Sequence, residues 1–461
     1  MRGSNCGRTL FALVLWSVAM ILCEPAVAAD KPAGTPIFDG KTLKGWKVLG
    51  GGADYKVVDG AIVGSSRPGV PNSFLVTNKD YTDFILEFDV RQDVGPTNSG
   101  VQFRSLSTPD FENGRVHGYQ TDIDPSERAW SGGIYEEAQR GWFYTGEMNP
   151  PSKLLYKFGE WNHYRLEAIG PRLRVWINGA PAADVIDDLK PKGFFGLQVH
   201  SIDKPEDAGR TTTWKNLRVQ TRNLKPLPPM GILIRNNLAN NLDAEEKAQG
   251  WKLLWDGKTA GGWRSADAPG FPAKGWSMTN GELTVMPKGG GGDIVTEEEF
   301  GAFELQLEFR ISAGANSGII YLLTAAHDPN AGGAPLGLEY QLLDDERHPD
   351  AKLGIDGNRT IASLYDIYPR AKLMTNVGIA PKVDAWQHAR IVSRKDGSVE
   401  HWLNGVKVLE FKRGSADYRA HVATSKFKMT PGFGEASEGR ILLQDHGDAV
   451  SFRSIKIRPS N

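Results

Sequence analysis

Ile441-Leu-Leu-Gln-Asp-His-Gly-Asp-Ala-Val-Ser-Phe-Arg-Ser-Ile-Lys-Ile457 reads as two β-strands joined by a tight turn at His446-Gly447-Asp448. Side chains alternate between the two faces of a strand. Leu442, Gln444 and His446 therefore share one face, and Ile441, Leu443 and Asp445 share the other. One surface is suited to burial, while the other carries Gln and His two positions apart and is suited to chemistry. The same Gln-x-His spacing stands 246 residues earlier, in Gly196-Leu-Gln-Val-His200, again within an apolar strand.

Working outward, the duplication extends over the chain. Ile37-Phe-Asp-Gly-Lys-Thr-Leu-Lys-Gly-Trp46 returns 217 residues later as Leu254-Trp-Asp-Gly-Lys-Thr-Ala-Gly-Gly-Trp263. Asn98-Ser-Gly100 returns as Asn316-Ser-Gly318, Gly133-Ile-Tyr-Glu136 as Ser363-Leu-Tyr-Asp366, and Trp176-Ile-Asn-Gly179 as Trp402-Leu-Asn-Gly405. An ordered internal repeat sets the fold class before any single element does. Each copy consists of short alternating strands punctuated by Gly, Asn, Asp and Pro, which predicts an all-β antiparallel sandwich. Asn-Gly at 178–179 and 404–405 predicts two-residue hairpins. Between the copies, Pro226, Pro228 and Pro229 mark an irregular linker, followed by a short helix from Asp243 to Gln249 that Gly250 stops. The expected division is 30–221 for the first sandwich, 222–249 for the linker and helix, and 250–461 for the second. The offset between copies grows along the chain, and the largest insertion, between Gly405 and Gly439, is expected to be a loop.

Residues 1–29 have the layout of a secretory signal peptide: Arg2 and Arg8, an apolar run from Leu10 to Leu22, then small residues before Asp30. The expected location is secreted or periplasmic, with no membrane span in the mature chain, since the run is too short for one. Both cysteines lie in this segment, so the mature chain would have neither disulfide nor thiolate nucleophile. Lys and Arg total 54 against 55 Asp and Glu, and that balance argues against nucleic acid as a partner.

Parity gathers polar residues on one sheet face in each copy. Glu339 and Gln341 share a face in the second copy, and Gln120 and Asp122 share one in the first. Neighbouring strands add Gln444 and His446, or Gln198 and His200, with Tyr365 or Tyr135 alongside. A solvated outer face would explain any one of these residues, but not a His kept at the same spacing twice. A glycosidase using two opposed carboxylates is disfavoured, because one carboxylate of each strand pair is an amide. A divalent cation is compatible with His and carboxylates on adjacent strands, although no His-x-x-x-His spacing supports it.

Asp-Gly-Lys-x-x-x-Gly-Trp, Asn-Ser-Gly, Glu-Tyr-Gln-Leu-Leu-Asp, Trp-Leu-Asn-Gly and Leu-Gln-Asp-His-Gly together resemble the 3-keto-disaccharide hydrolase domain family, in two tandem copies. The resemblance implies two concanavalin A-like (jelly-roll) β-sandwiches, export, and an oligosaccharide or glycoside substrate whose sugar has been oxidised at carbon 3. A ketone there acidifies the proton on carbon 2, so one general base can start elimination at carbon 1, and water then adds back. His446 is the leading candidate base, with Glu339 as its alternative and Tyr365 as a catalytic neighbour. Gln341, Gln444, Asn316, Asp366 and Lys426 are the expected substrate contacts of the second copy. Gln102, Arg104, Gln120, Asp122, Gln198, His200 and Tyr135 are those of the first. Asn-Ser-Gly itself is expected to be a turn. A non-catalytic carbohydrate-binding or adhesion protein is the competing reading, since the sandwich serves both.

Overall fold

The structure, a computed structural model, describes Met1 and residues 34–372 and 380–460. The segment read as a signal peptide, with Cys6 and Cys23, lies outside the described residues. Gly34–Asn461 gathers into one compact unit that contains two β-sandwiches. In the first, a nine-stranded sheet faces a seven-stranded one, the latter in the order Gly141–Tyr144, Ile134–Glu137, His117–Ile123, Ser99–Leu106, Phe194–Val199, Ser73–Thr77 and Trp46–Gly50. In the second, an eight-stranded sheet faces a five-stranded one, ordered Trp263–Ser265, Ile294–Thr296, Arg440–Leu443, Asn316–Asp328 and Ala334–Leu343. The smaller sheet of each sandwich holds the candidate site.

Strand alternation builds both cores. Leu86, Phe88 and Val90 point inward from Phe84–Arg91, and Leu305, Leu307 and Phe309 do so from Phe303–Ile311. Each such side chain fully removed from water contributes about 1.5–3 kcal/mol. The Asn-Gly hairpins form as expected: Asn178 and Gly179 have φ of +51° and +81°, and Asn404 and Gly405 have +50° and +81°. Two positive φ values in succession match the twist of the flanking strands, and Asn tolerates what bulkier residues do not.

The linker is more structured than its prolines suggest. Arg235–Asn236 pairs in parallel with Val185 and Ile186 at the edge of the first large sheet. Asp243 caps the Ala244–Ala248 helix through a reciprocal capping box with Glu246. The buried Glu246 carboxylate accepts from Asn236 Nδ2 at 2.6 Å and from Lys456 Nζ at 2.5 Å, joining the linker to the last strand of the second sandwich.

The insertion after Gly405 differs from the expected loop. It carries a helix, Ala416–Val422, capped by Ser415, and buries Tyr418, Phe427 and Phe433 in the second core. Phe427 and Phe433 stack with ring centroids 3.8 Å apart. Three aromatic anchors within sixteen residues hold a segment that hydrophilic spacing alone reads as surface. Among the described residues, no helix is long and apolar enough to cross a membrane.

Candidate functional site

In the second sandwich, Leu338, Tyr340 and Leu342 enter the core, which leaves Glu339 and Gln341 on the outer face of the five-stranded sheet. Pairing sets Glu339 opposite Ile320 and Gln341 opposite Gly318. Gly318 is not a turn residue. It lies within Asn316–Asp328, and a Cβ there would sit 2.5 Å from Glu339 Oε1. Gly100 lies likewise within Ser99–Leu106, where a Cβ would fall 2.4 Å from Gln120 Cδ. The Asn-Ser-Gly phrase is therefore a strand segment whose glycine makes room for a site side chain to lie across the sheet.

The strand carrying Gln444 ends sooner than the spacing predicts, at Leu443. Asp445 terminates it: its N–H donates to Asp293 Oδ1 at 2.8 Å, and its carboxylate accepts from the N–H groups of Gly291, Gly292 and Gly447. The Gln444 N–H still pairs with the Gly318 carbonyl at 3.1 Å, so Gln444 stays on the sheet. His446 lies beyond it, exposed, on the turn where Gly447 takes φ +83°.

A frame of charged groups surrounds Glu339. Tyr365 N–H donates to the Glu339 carbonyl, and its hydroxyl donates to Asp350 Oδ2 at 2.8 Å. Arg359 bridges Asp350 and Asp366 at 2.8 and 2.7 Å. The other oxygen of Asp366 accepts from the Lys426 N–H at 2.6 Å, and the Lys426 ammonium lies 4.3 Å from the centre of the Tyr365 ring. Burial pushes the Glu339 carboxyl up to about 7, with Lys426 opposing and Asp293, Asp350 and Asp366 reinforcing. Burial lowers Lys426 as well, against the pull of Glu339 and Asp366. His446 is also lowered, first by desolvation and then by Lys426 and His348, against Asp448 and Asp350. Among the described residues, the buried Asn316 Oδ1, Gln341 Nε2 and Gln444 Oε1 have no hydrogen-bond partner. A polar ligand is what such groups lack.

The first sandwich brings its candidates to a cleft of about 390 Å³ lined by Asn98, Gln120, Asp122, Tyr135, Gln198 and His200. Here the polar groups bond one another. Gln102 Nε2 donates to Gln120 Oε1 at 2.8 Å, and Gln120 Nε2 donates to Asp122 Oδ1 at 2.8 Å. Asn98 Nδ2 donates to Asp122 Oδ2 at 3.0 Å. Gln102 thus supports the floor and does not line the cleft. Burial, with Asp124 adding, pushes Asp122 up to about 7, while Arg128 and both amides oppose.

Arg104 does not join this face. It has φ +46° in a bulge where the pairing of Ser99–Leu106 slips against both neighbouring strands. The extra residue turns the side chain away from Gln102, and the guanidinium bonds the carbonyls of Thr82 and Gly170 and the Asp83 carboxylate. Leu322, with φ +52°, occupies the same bulge in the second copy and enters the core.

Several neighbours escaped the sequence reading. Asp350 and Arg359 arrive in an insertion that raises the offset between copies from 219 at Gln120 and Glu339 to 230 at Tyr135 and Tyr365. That jump was the available signal. Arg128 and Trp142 in the first cleft had none, because neither has a counterpart in the repeat. No group of three or more His, Cys, Asp or Glu among the described residues is arranged to hold a metal ion, so the donor set does not fit the cation considered from sequence.

Paired antiparallel sheets with a polar site on the outer face of the smaller one place both halves among the concanavalin-like β-sandwiches. The chain belongs to the 3-keto-alpha-glucoside-1,2-lyase-like domain family, whose profile matches residues 33–220 and again 250–458. It is 35% identical over 243 residues to a 3-keto-disaccharide hydrolase of Bacteroides thetaiotaomicron, covering 48% of this chain and 81% of that protein. A solved structure from Parabacteroides distasonis, described as a proposed glycosyl hydrolase, is 31% identical with a TM-score of 0.42, covering 48% of this chain and 100% of its own. A carbohydrate-binding module of Bacillus subtilis aligns at 18% identity and a TM-score of 0.29, covering 39% of this chain and 98% of its own.

Proposed function

We propose that this is an exported carbohydrate-active enzyme that cleaves 3-keto-glycosides at the outer face of the second sandwich. The observation that carries this reading is a half-buried carboxyl, Glu339, within the electrostatic reach of the Lys426 ammonium and on the sheet face that carries three unpartnered amide groups. The amides supply hydrogen bonds to sugar hydroxyls. Glu339 removes the proton from carbon 2, and the electron pair moves onto the carbon 3 oxygen as an enolate. Lys426 stabilises that oxyanion as a charge already in place before the reaction. Collapse of the enolate breaks the bond from carbon 1 to the departing oxygen, which takes up the proton held by Glu339. Water then adds to carbon 1 of the enone and yields a proton to His446, neutral because its pKa is lowered, and carbon 2 regains a proton through Glu339. Exchange of one proton each with solvent restores both residues.

Glu339 is preferred to His446 for the first step because Gly318 and the sheet fix its position, whereas the His446 ring has no hydrogen-bond partner among the described residues. General bases work best with a pKa near the operating pH, and Glu339 meets that condition. The family's 1,2-lyase description fits elimination across carbons 1 and 2. The first sandwich, whose carboxylate Asp122 is already hydrogen-bonded by Asn98 and Gln120 while Gln198 Oε1 is left open among the described residues, is assigned to sugar binding. The test is turnover of a 3-keto-disaccharide bearing deuterium on carbon 2. A slowed wild-type reaction and an inactive Glu339→Gln variant are expected, and full activity in that variant would overturn the assignment.

A further inference from the structure

The first cleft does not end at its own sandwich. Trp142 belongs to its wall and also to the wall of a second cavity, of about 540 Å³, between the two sandwiches. On the first side, Trp142 stands 5.2 Å from Tyr135, and the Arg128 guanidinium lies 5.3 Å from its ring centre. On the second side, Phe143 and Leu189 of the first sandwich face Trp386 of the second. The junction is built from both halves, since Thr145 Oγ1 donates to the Gly405 carbonyl at 2.6 Å and Trp142 packs with Trp130 and Val406.

Each cavity also contains a buried amide oxygen without a partner among the described residues: Gln198 Oε1 in the first and Gln139 Oε1 in the second. A carbonyl oxygen accepts hydrogen bonds, so both lack the same thing, a hydroxyl or N–H donor. The arginines and the glutamate of the second cavity are already paired, and Lys382 is the one charged lining residue without an ion pair among the described residues. Arg140 bonds Glu136 and Asp187, while Arg453 and Arg235 share Glu308 at 2.7 and 3.5 Å. Aromatic walls, arginines held by carboxylates and acceptor oxygens suit a ligand that is uncharged, rich in hydroxyls and apolar on its ring faces.

We infer that the two cavities form one continuous track for a neutral oligosaccharide, crossing Trp142 from the first sandwich into the junction. Either cavity alone falls within the usual size of a small-molecule pocket, so the track takes a chain longer than a disaccharide. The inference rests on the assignment of the first sandwich to sugar binding and not on the chemistry at Glu339.

The test uses the full chain carrying Glu339→Gln, so that binding is read without turnover. Calorimetry compares neutral gluco-oligosaccharides, disaccharide against pentasaccharide, in α- and β-linked series. In at least one series the pentasaccharide is expected to bind about tenfold tighter, the equivalent of one further aromatic contact. Trp142→Ala should abolish that length dependence. Gln139→Ala, a polar substitution outside the core, should weaken the pentasaccharide and leave the disaccharide unchanged, which keeps the test valid if Trp142→Ala does not fold. Equal affinity for both lengths in every series, or no binding of either, would overturn the track. A 3-keto-disaccharide turned over normally by the wild type would show that only this inference had failed.

Discussion

The two outer faces share a strand plan and differ in how completely their polar groups are satisfied. In the first sandwich, Gln102, Gln120, Asp122 and Asn98 form an unbroken run of hydrogen bonds. In the second, the position of Gln102 is taken by Ile320, which offers Glu339 no donor. The carboxylate and amide have also exchanged places along the strand, from Gln120 and Asp122 to Glu339 and Gln341. The consequence is a carboxylate held by neighbouring amides in one half, where, among the described residues, Gln198 Oε1 alone of the cleft amides stays open, and in the other a carboxyl with unpartnered amides around it. Unsatisfied buried groups weaken a fold by about 1–3 kcal/mol each, so they are retained where a ligand completes them. On the proposed function, the first site holds a sugar and the second reacts with one.

The comparison breaks most directly at its two carboxyls. Glu339→Gln removes the base and is expected to lower kcat on a 3-keto-disaccharide about 10²–10⁴-fold. Asp122→Asn should change it less than about threefold, within the context-dependence of a remote polar change. Parallel kinetics on the two variants decide the matter, and equal losses would mean that both halves react. Gly318→Ala comes next. Its methyl group displaces Glu339, and a misplacement near 1 Å costs on the order of 10²-fold. Gly100→Ala pushes on Gln120 in the same way but should leave turnover intact.

Much of this plan was legible before the coordinates. The Gln120-x-Asp122 and Glu339-x-Gln341 spacings identified residues that share a face, because strand parity is a local property, whereas the strand of Gln444 stops before His446. The sandwich followed from the same alternation. What failed were features set by tertiary contact. Arg104 has the parity of Gln102, but a bulge turned it away, and a bulge leaves no mark on an alternating pattern. Asn-Ser-Gly reads as a turn because Gly and Asn favour turns, whereas the glycine answers to a side chain lying across a neighbouring strand. The 405–439 insertion contained Tyr418, Phe427 and Phe433, but nothing in their spacing says that they fold back into the core. Lys426 reached Tyr365 for that reason.

Lys426 sharpens the comparison at intermediate size. Lys426→Ala removes the ammonium facing the enolate and should lower kcat about 10–10³-fold, in the range seen when one oxyanion donor is lost. Its pH signature separates this role from a structural one. A base must be ionised to work, so kcat/KM should rise with pH through about 7, the value to which burial pushes Glu339. Lys426 holds that value down. Its removal should therefore move the rising limb to higher pH, read from a profile taken across neutrality. A limb left in place would separate Lys426 from Glu339.

The smallest expected effect is on stability, and it concerns the first cleft. Asp122 is buried, and its folded pKa of about 7 lies above the ordinary carboxylate value. Below about pH 4 both folded and unfolded chains carry the proton, and the group contributes nothing to the pH dependence. Between about pH 4 and pH 7 the unfolded chain gives up the proton while the folded one retains it, so this contribution to stability is lost as pH rises through that window. Above it, an ionised carboxylate stays buried against the opposing help of Arg128 and two amides. Asp122→Asn keeps the shape and removes the charge. Thermal unfolding of the variant should match the wild type near pH 4 and exceed it at pH 8, by about 2–4 °C for each kcal/mol recovered. The gain is reduced by whatever the new amide loses where Asn98 and Gln120 now donate, which is why a rise of a few degrees is expected and not more. An unfolding midpoint lowered equally at both pH values would mean that the hydrogen-bond run matters more than the buried charge, and that the first cleft is held together by the groups that the second has left open.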